Sequence, residues 1–335
     1  MTGGFRHSED GRTVIFGPGA SDDVAGLVEP GFVLLTGTRG RTLLPGLAER
    51  ASAVVEVPTG LVEDVAGALR GRVAGDHLVA VGGGRVVDVA KALAAADPPR
   101  TVTAIPTTLS GAEMTGGHRH AGGVPADTPK VRPALVVNDP RLSASAPVAA
   151  LAASSANAMG HAVTAFVASG EPATRARAFE ATVLIARAWS PSGSHPDRPS
   201  LALGALLAGW ALGDSGLGLH HVIAQTLVRT AGLGHAQANA LVLPASIGAL
   251  RRRHPAEVSA LEALAGTDLT SVAVDLRERA GASADPSWSA GPGLHRAVDA
   301  VLARPELRRR VPSPTRAEVE HMLRAAVGKI APDAQ

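Results

Sequence analysis

The chain has 335 residues, 45% of them apolar and 19% charged, with 32 basic residues against 30 acidic ones. That length fits about two domains with a substantial core, and the apolar content excludes a disordered chain. A net charge of +2 and 2% aromatics exclude a charge-driven nucleic-acid binder and an aromatic platform for stacking bases. With no cysteine, disulfides, thiolate metal sites and a thiol nucleophile are all ruled out. The opening MTGGFRHSED is polar and carries no secretory signal. The longest apolar run, Leu201 to Leu212, is far short of the ~20 residues a membrane span requires. A soluble, cytoplasmic protein acting on a small molecule, without nucleic acid or membrane, is expected.

In chain order, short β-branched runs alternate with amphipathic segments through the first half. The pattern predicts strands at 13–16, 32–35, 54–57, 77–81, 102–105 and 134–137, and helices at 22–27, 42–51, 61–70 and 86–95. Such alternation implies a mainly parallel sheet covered by helices. After Asp139-Pro140 come Ala- and Leu-rich segments, predicting helices at about 147–168, 173–188, 199–213, 216–229, 236–251, 256–264, 269–280 and 315–327. The Gly-, Ser- and Pro-rich segment 281–294 reads as a loop. The expected organisation is an α/β nucleotide-binding domain over residues 1–145 and an all-helical domain over 146–335.

Two turns in the first half carry chemistry. Val79 to Lys91 (VAVGGGRVVDVAK) reads as a strand, a triple-glycine turn and a helix start. Glycines allow close approach of a ligand to the backbone, and a helix N-terminus suits a pyrophosphate. The turn is not the GxGxxG fingerprint, and a tight turn without a ligand is an equal alternative. The next strand runs into Ile105 to Thr115 (IPTTLSGAEMT), which gathers Thr107, Thr108 and Ser110 at a strand's C-terminal end, where open parallel sheets bind ligands. Capping of a following helix is the alternative role for those hydroxyls. Two such turns on consecutive strands point to a nucleotide cleft.

The second half spreads histidines over three predicted helices. Asn157 and His161 lie four residues apart, as do His221 and Gln225, so each pair shares a helical face; Gly232 and Gly234 precede His235. Histidines in apolar helices need hydrogen-bond partners or a ligand; any one of them alone reads more readily as a satisfied core or surface histidine, and the set over three helices is more informative than its members.

GGGxxxDxAK, IPTTxSGxExT, NDPxL, NAxxHAV, GLHH, HAxxNAxxLP and the closing VPSPTRAEVEHML together resemble the iron-containing alcohol dehydrogenase superfamily, in order and spacing over nearly the whole chain. The resemblance implies a dehydroquinate synthase-like fold, a nucleotide-binding α/β domain followed by a helical domain, with the catalytic cleft between them, and commonly a homodimer. Metal-dependent members hold a divalent ion with one Asp and three His, which fall here on Asn157, His161, His221 and His235. With Asn157 the only anionic ligand is gone. SxxNAMxHAV with GLHH is similar to the maleylacetate reductases, which reduce an enoate conjugated to a ketone with NADH or NADPH and generally need no metal.

On that resemblance the catalytic candidates are His161, His221, His235, Asn157 and Gln225, the histidines polarising the substrate. An ordinary imidazole pKa of ~6.5 suits proton donation by His221. Cofactor contacts are expected from Gly37, Arg39, Gly83, Gly84, Arg85, Asp88, Thr107, Thr108, Ser110, Thr115 and Lys130. No acidic residue follows the second predicted strand, and Arg39 there could pair with a 2′-phosphate, so NADPH is admitted beside NADH. Arg85 stands where the family has Ser, Thr164 where it has Glu, Leu109 where Tyr is frequent, and Gln225 in place of a further His. The loop His118-Arg119-His120 is a candidate for the substrate carboxylates or a solvated loop. Two other readings stay open. One is a metal-dependent alcohol dehydrogenase binding zinc or iron through His161, His221 and His235. The other is a scaffold turned to a non-redox lyase, cyclase or binding role.

Overall fold

The computed structural model describes residues 3–189, 195–283, 292–308 and 313–327. They form two compact units, Met1–Ala146 with Asp197–Gly209, and Pro147–Pro196 with Trp210–Gln335. Segment 197–209 thus groups with the α/β unit, although its Ala/Leu-rich sequence suggests the helical half. Arg198 donates from Nη1 to the Ala144 carbonyl and, at 2.8 Å, to that of Ala146. Gly209 lies so close to Gly111 that a Cβ would come within 2.8 Å of the Gly111 Cα. Composition does not reveal such neighbours.

The first unit carries strands β1 (Phe5–Glu9), β2 (Arg12–Phe16), β3 (Val33–Thr36), β4 (Ala53–Glu56), β5 (His77–Gly82), β6 (Thr101–Pro106) and β7 (Leu135–Asn138). Its helices are α1 (Val24–Leu27), α2 (Thr38–Leu43), α3 (Pro45–Arg50), α4 (Val62–Leu69), α5 (Gly84–Ala96) and α6 (Pro140–Ser143). The sheet order is β1-β2-β7-β6-β5-β3-β4, parallel throughout except the β1–β2 hairpin. Six strands lie where the sequence predicts them. β1 escapes the pattern because it is an exposed edge with no apolar face; its signal is Asp10-Gly11, both at positive φ, the turn chemistry of a tight hairpin. The single helix expected at 42–51 is two, because Pro45 starts a new helix after Leu44.

Both faces of the sheet are covered. On β5, Leu78 and Ala80 pack into one apolar cluster with α4 and α5, while Val79 and Val81 pack into another with Phe32, Leu47 and Leu142. Strands buried on both faces read as continuous apolar runs, which is how β5 and β6 read.

The second unit contains α7 (Val148–Ala168), α8 (Pro172–Ala188), the end of α9 (Arg198–Ser215), α10 (Leu219–Thr230), α11 (His235–Arg253), α12 (Pro255–Ala265), α13 (Leu269–Arg279), α14 (Pro292–Leu302), α15 (Pro305–Arg308) and α16 (Arg316–Val327). Of the loop expected at 281–294, residues 284–291 lie outside the described residues, and from Pro292 the chain is helical instead. Leu294, Ala297, Val298 and Val301 recur at helical spacing and are buried; the preceding Gly/Pro-rich stretch masks that periodicity in the sequence. Helix α7 is buried on nearly every side, so Asn157, His161 and Thr164 form a polar stripe inside an apolar core. Among the described residues no single helix is long and apolar enough to cross a membrane.

Candidate functional site

In the first unit the chain runs from β3 outward to β4, returns to β5 beside β3, and then proceeds the other way through β6 and β7. The reversal places a topological switch point at the C-terminal ends of β3 and β5, the position where open α/β sheets bind ligands. Gly37 follows β3 there, and Gly83 and Gly84 follow β5. A Cβ on Gly40, in the first turn after β3, would collide with the Val81 carbonyl, so only glycine lets α2 approach β5 this closely. Among the described residues no side chain caps α5; Val86 N–H turns back to Gly83 O at 2.9 Å, which leaves the N–H groups of Gly84 and Arg85 for a ligand.

The two turns singled out from the sequence lie side by side. Thr107 N–H donates to Gly82 O at 2.9 Å, and a Cβ on Gly84 would stand 2.9 Å from that of Ser110. What holds the second turn in place is Lys91. Its side chain is fully buried, and Nζ donates to the carbonyls of Ala112, Thr115 and Gly117 at 2.8, 3.1 and 3.0 Å while pairing with Asp88 at 2.7 Å. Asp88 and the backbone of Thr115, both expected at the cofactor, are therefore engaged in this anchor. Lys91 as loop anchor was legible only as the last letter of GGGxxxDxAK.

Arg39, exposed in the first turn of α2, donates from Nη2 to Ser145 Oγ. Arg85 is exposed, its one hydrogen bond a long 3.5 Å contact to Pro58 O, and it does not fill the turn. Lys130 is exposed next to Val131. The His118 ring is not available to a substrate: Nδ1 donates to Arg119 O at 3.0 Å and Nε2 accepts from Val131 N–H at 3.2 Å, and burial pushes its pKa down to about 4. It clasps the loop as a neutral ring, which corrects the expectation that His118-Arg119-His120 recognises carboxylates through this residue.

Beside Lys91, Glu113 is 1% exposed and receives Asn138 Nδ2 at 3.4 Å. Burial pushes its carboxyl up to about 7, with Lys91 opposing and Asp88 reinforcing the shift. A carboxyl protonated in the fold, but ionising near 4.5 when unfolded, contributes stability that is complete below that value and is lost as pH rises through 7. The whole interval amounts to about 3 kcal/mol. His118 acts in the opposite direction, costing stability as pH falls below 6.5. The first unit is expected to be most stable near about pH 6. Glu113→Gln is expected to flatten the alkaline arm of a Tm–pH profile; a variant keeping the wild-type slope there would rule Glu113 out.

The second unit brings the histidine set together. His161 Nε2 and His221 Nδ1 are 3.0 Å apart, their ring centroids 4.7 Å; the rings of His221 and His235 meet edge to face at 5.6 Å. His221 is thus the middle of a row, with His161 buried and His235 exposed at the first residue of α11. Asn157 is buried one turn before His161. Among the described residues His161 Nδ1, which is buried, has no partner. A bare lone pair there costs less than an orphaned N–H, so His161 Nε2–H donates to His221 Nδ1, and His221 carries its proton on Nε2.

Burial, reinforced by the neighbouring imidazoles, pushes His161 down to about 3 and His221 well below its ordinary value. This corrects the expectation of a His221 with an unshifted pKa. At neutral pH it is a neutral N–H donor, and only a nearby anion would restore its basicity. His220, the other half of the GLHH run, is a core residue: Nδ1 meets Ser246 Oγ at 2.9 Å, and the ring lies where a Cβ on Gly160 would be. Thr164 packs its methyl where a Cβ on Gly218 would be, joining α7 to the start of α10. A cavity of 510 Å³ in this unit is lined by Thr164, Gly218, His220, Ser246, Arg253 and Glu306 among others, and by none of His161, His221 and His235.

The donor set does not fit an iron site. An amide stands at Asn157, no carboxylate joins the histidines, and among the described residues no three His, Asp or Glu are arranged to hold a metal. One functional candidate escaped sequence reasoning: Arg304, whose Nη2 donates to Gln225 Oε1 at 2.9 Å. Seventy-nine residues separate the two, and no motif signals the contact.

The C-terminal domain of the Fe-containing alcohol dehydrogenase family matches residues 151–285. Maleylacetate reductase from Sphingobium indicum is 33% identical over 255 residues, covering 70% of this chain and 72% of the relative. Maleylacetate reductase 1 from Cupriavidus pinatubonensis is 32% identical over 244 residues, covering 69% and 67%. The crystal structure of maleylacetate reductase from Agrobacterium tumefaciens superposes with a TM-score of 0.77 at 26% identity, over 98% of this chain and 99% of that one. The chain belongs to the iron-containing alcohol dehydrogenase family and is an oxidoreductase of the maleylacetate reductase-like kind.

Proposed function

We propose that the protein reduces a small carboxylated oxo-enoate, of which maleylacetate is the type, with NADH or NADPH and without a resident metal ion. The observation that carries the reading is the His161–His221 pair, two neutral, hydrogen-bonded imidazoles one helical turn from an amide at the position where the metal-dependent members of the family carry a carboxylate ligand. The uncapped N-terminus of α5 with Gly83 and Gly84 would hold a pyrophosphate, and Thr107, Thr108 and Ser110 would line the rest of the dinucleotide. When bound, the reduced nicotinamide supplies the hydride.

The residues of the second unit supply polarisation. As the conjugated double bond is reduced, electron density moves onto the ketone oxygen, and the His221 Nε2–H stabilises that developing charge, with His235 beside it. His161 holds His221 in the donating tautomer. Because the His221 donor is fixed before reaction and buried, its effect is large without any cation. A dianionic substrate raises the His221 pKa, so the ring takes up a proton from solvent, and the imidazolium gives one proton to the enolate carbon and returns to the neutral form.

The test is an assay of chelator-treated, metal-free protein with maleylacetate and each reduced nicotinamide. Turnover is expected to persist after metal removal. Activity that vanishes on chelation and returns with zinc or iron would favour the metal-dependent dehydrogenase, and failure to bind either nicotinamide would favour a non-redox scaffold.

A further inference from the structure

Arg304 sits in the turn between α14 and α15 with a side chain only 16% exposed. Its Nε donates to Glu306 Oε2 at 3.1 Å, and its Nη2 to Glu306 Oε1 at 2.7 Å and to Gln225 Oε1 at 2.9 Å. Among the described residues Nη1 has no acceptor, so two donors of a largely buried guanidinium remain for something else.

Arginine can only donate, so the contact determines the Gln225 amide: its oxygen faces Arg304 and its NH2 is turned the other way. Gln225 lies one turn after His221 on α10, on the same face of the helix. The charge of Arg304 is felt at His221 as one of the influences opposing protonation of that ring. The arrangement is a held cation and a fixed amide donor next to a neutral N–H donor.

We propose that Arg304, with the Gln225 amide it orients, recognises a substrate carboxylate and makes this site selective for anionic over uncharged substrates. The inference rests on the reading above that the histidine row is the substrate site. Glu306 balances the charge of Arg304, so recognition works through the two Nη1 donors and not through net charge. Bound carboxylate and Glu306 then compete for one guanidinium, which makes the two residues act with opposite sign.

The experiment compares wild type, Arg304→Gln and Glu306→Gln in two assays. In turnover, R304Q is expected to raise KM for maleylacetate about 10- to 100-fold, the range for hydrogen bonds to a charged group. E306Q is expected to leave that KM unchanged or lower it. For the uncharged dimethyl ester both variants are expected to stay within about threefold of wild type. Equal losses on the dianion and the ester would make Arg304 a structural residue and overturn the proposal.

The second assay needs no turnover: calorimetric titration with adipate, a saturated dicarboxylate. Wild type is expected to bind it about 10-fold or more tightly than R304Q, with E306Q at least as tight as wild type. Equal adipate affinity in wild type and R304Q would overturn the proposal even if maleylacetate is reduced. Wild type that binds adipate through Arg304 but does not reduce maleylacetate would overturn the proposed reaction alone. Should R304Q fail to fold, E306Q still decides: weaker binding of adipate and of maleylacetate by this variant contradicts the opposing roles.

Discussion

Replacing His221 by alanine is expected to lower kcat/KM for maleylacetate by about 10²- to 10⁴-fold, the span covered by loss of a general acid or of a preorganised charge-stabilising donor. His221 is the only member of the row in contact with both of the others, at 3.0 Å to His161 and edge to face with His235. Its removal deletes the outward N–H and leaves His161 Nε2 without its acceptor. The turns proposed to hold the nucleotide belong to the other unit, so nicotinamide affinity should be unchanged. The measurement is steady-state kinetics beside a cofactor titration and a circular dichroism melt. A folded H221A variant with near wild-type kcat would remove the imidazole row from the mechanism. A variant that melts many degrees lower would show instead that the ring is a packing element.

The second large effect concerns Lys91. A fully buried ammonium that holds three carbonyls and one carboxylate is costly to lose, because its partners stay behind unsatisfied. Lys91→Met, which preserves most of the volume, is expected to destabilise the first unit by about 3–5 kcal/mol. For a domain of this size that corresponds to a fall in Tm on the order of 10 °C. Because the anchored carbonyls belong to the loop following Thr107, Thr108 and Ser110, KM for the nicotinamide should rise as well. Thermal unfolding and cofactor titration of K91M check both; an unchanged Tm would mean that water satisfies these carbonyls equally well.

The two predictions differ in what could be foreseen. The histidines and glycines announce themselves as sets, since imidazoles spread over three apolar helices and two polar turns on consecutive strands say more together than any one member does. Lys91 carries no such mark. A lysine on an amphipathic helix is ordinarily a solvated one, and its burial here depends on where the loop from Ala112 to Gly117 folds back across α5. His118 shows the same limit from the other side. A histidine beside an arginine in a glycine-flanked loop suggests anion binding, yet both ring nitrogens close hydrogen bonds within its own loop.

By itself the sequence determined the alternation of strands and helices, the glycine and threonine turns after consecutive strands, the histidine set and the amide at Asn157. Each of these depends on local periodicity or on the chemistry of a single side chain, which the order of residues specifies directly. Only the tertiary structure decided which imidazole stands in the middle, that burial keeps it neutral, and that Arg304 reaches Gln225. Those depend on distances between segments remote in the chain and on the exclusion of water around them, and neither quantity exists until the helices have packed.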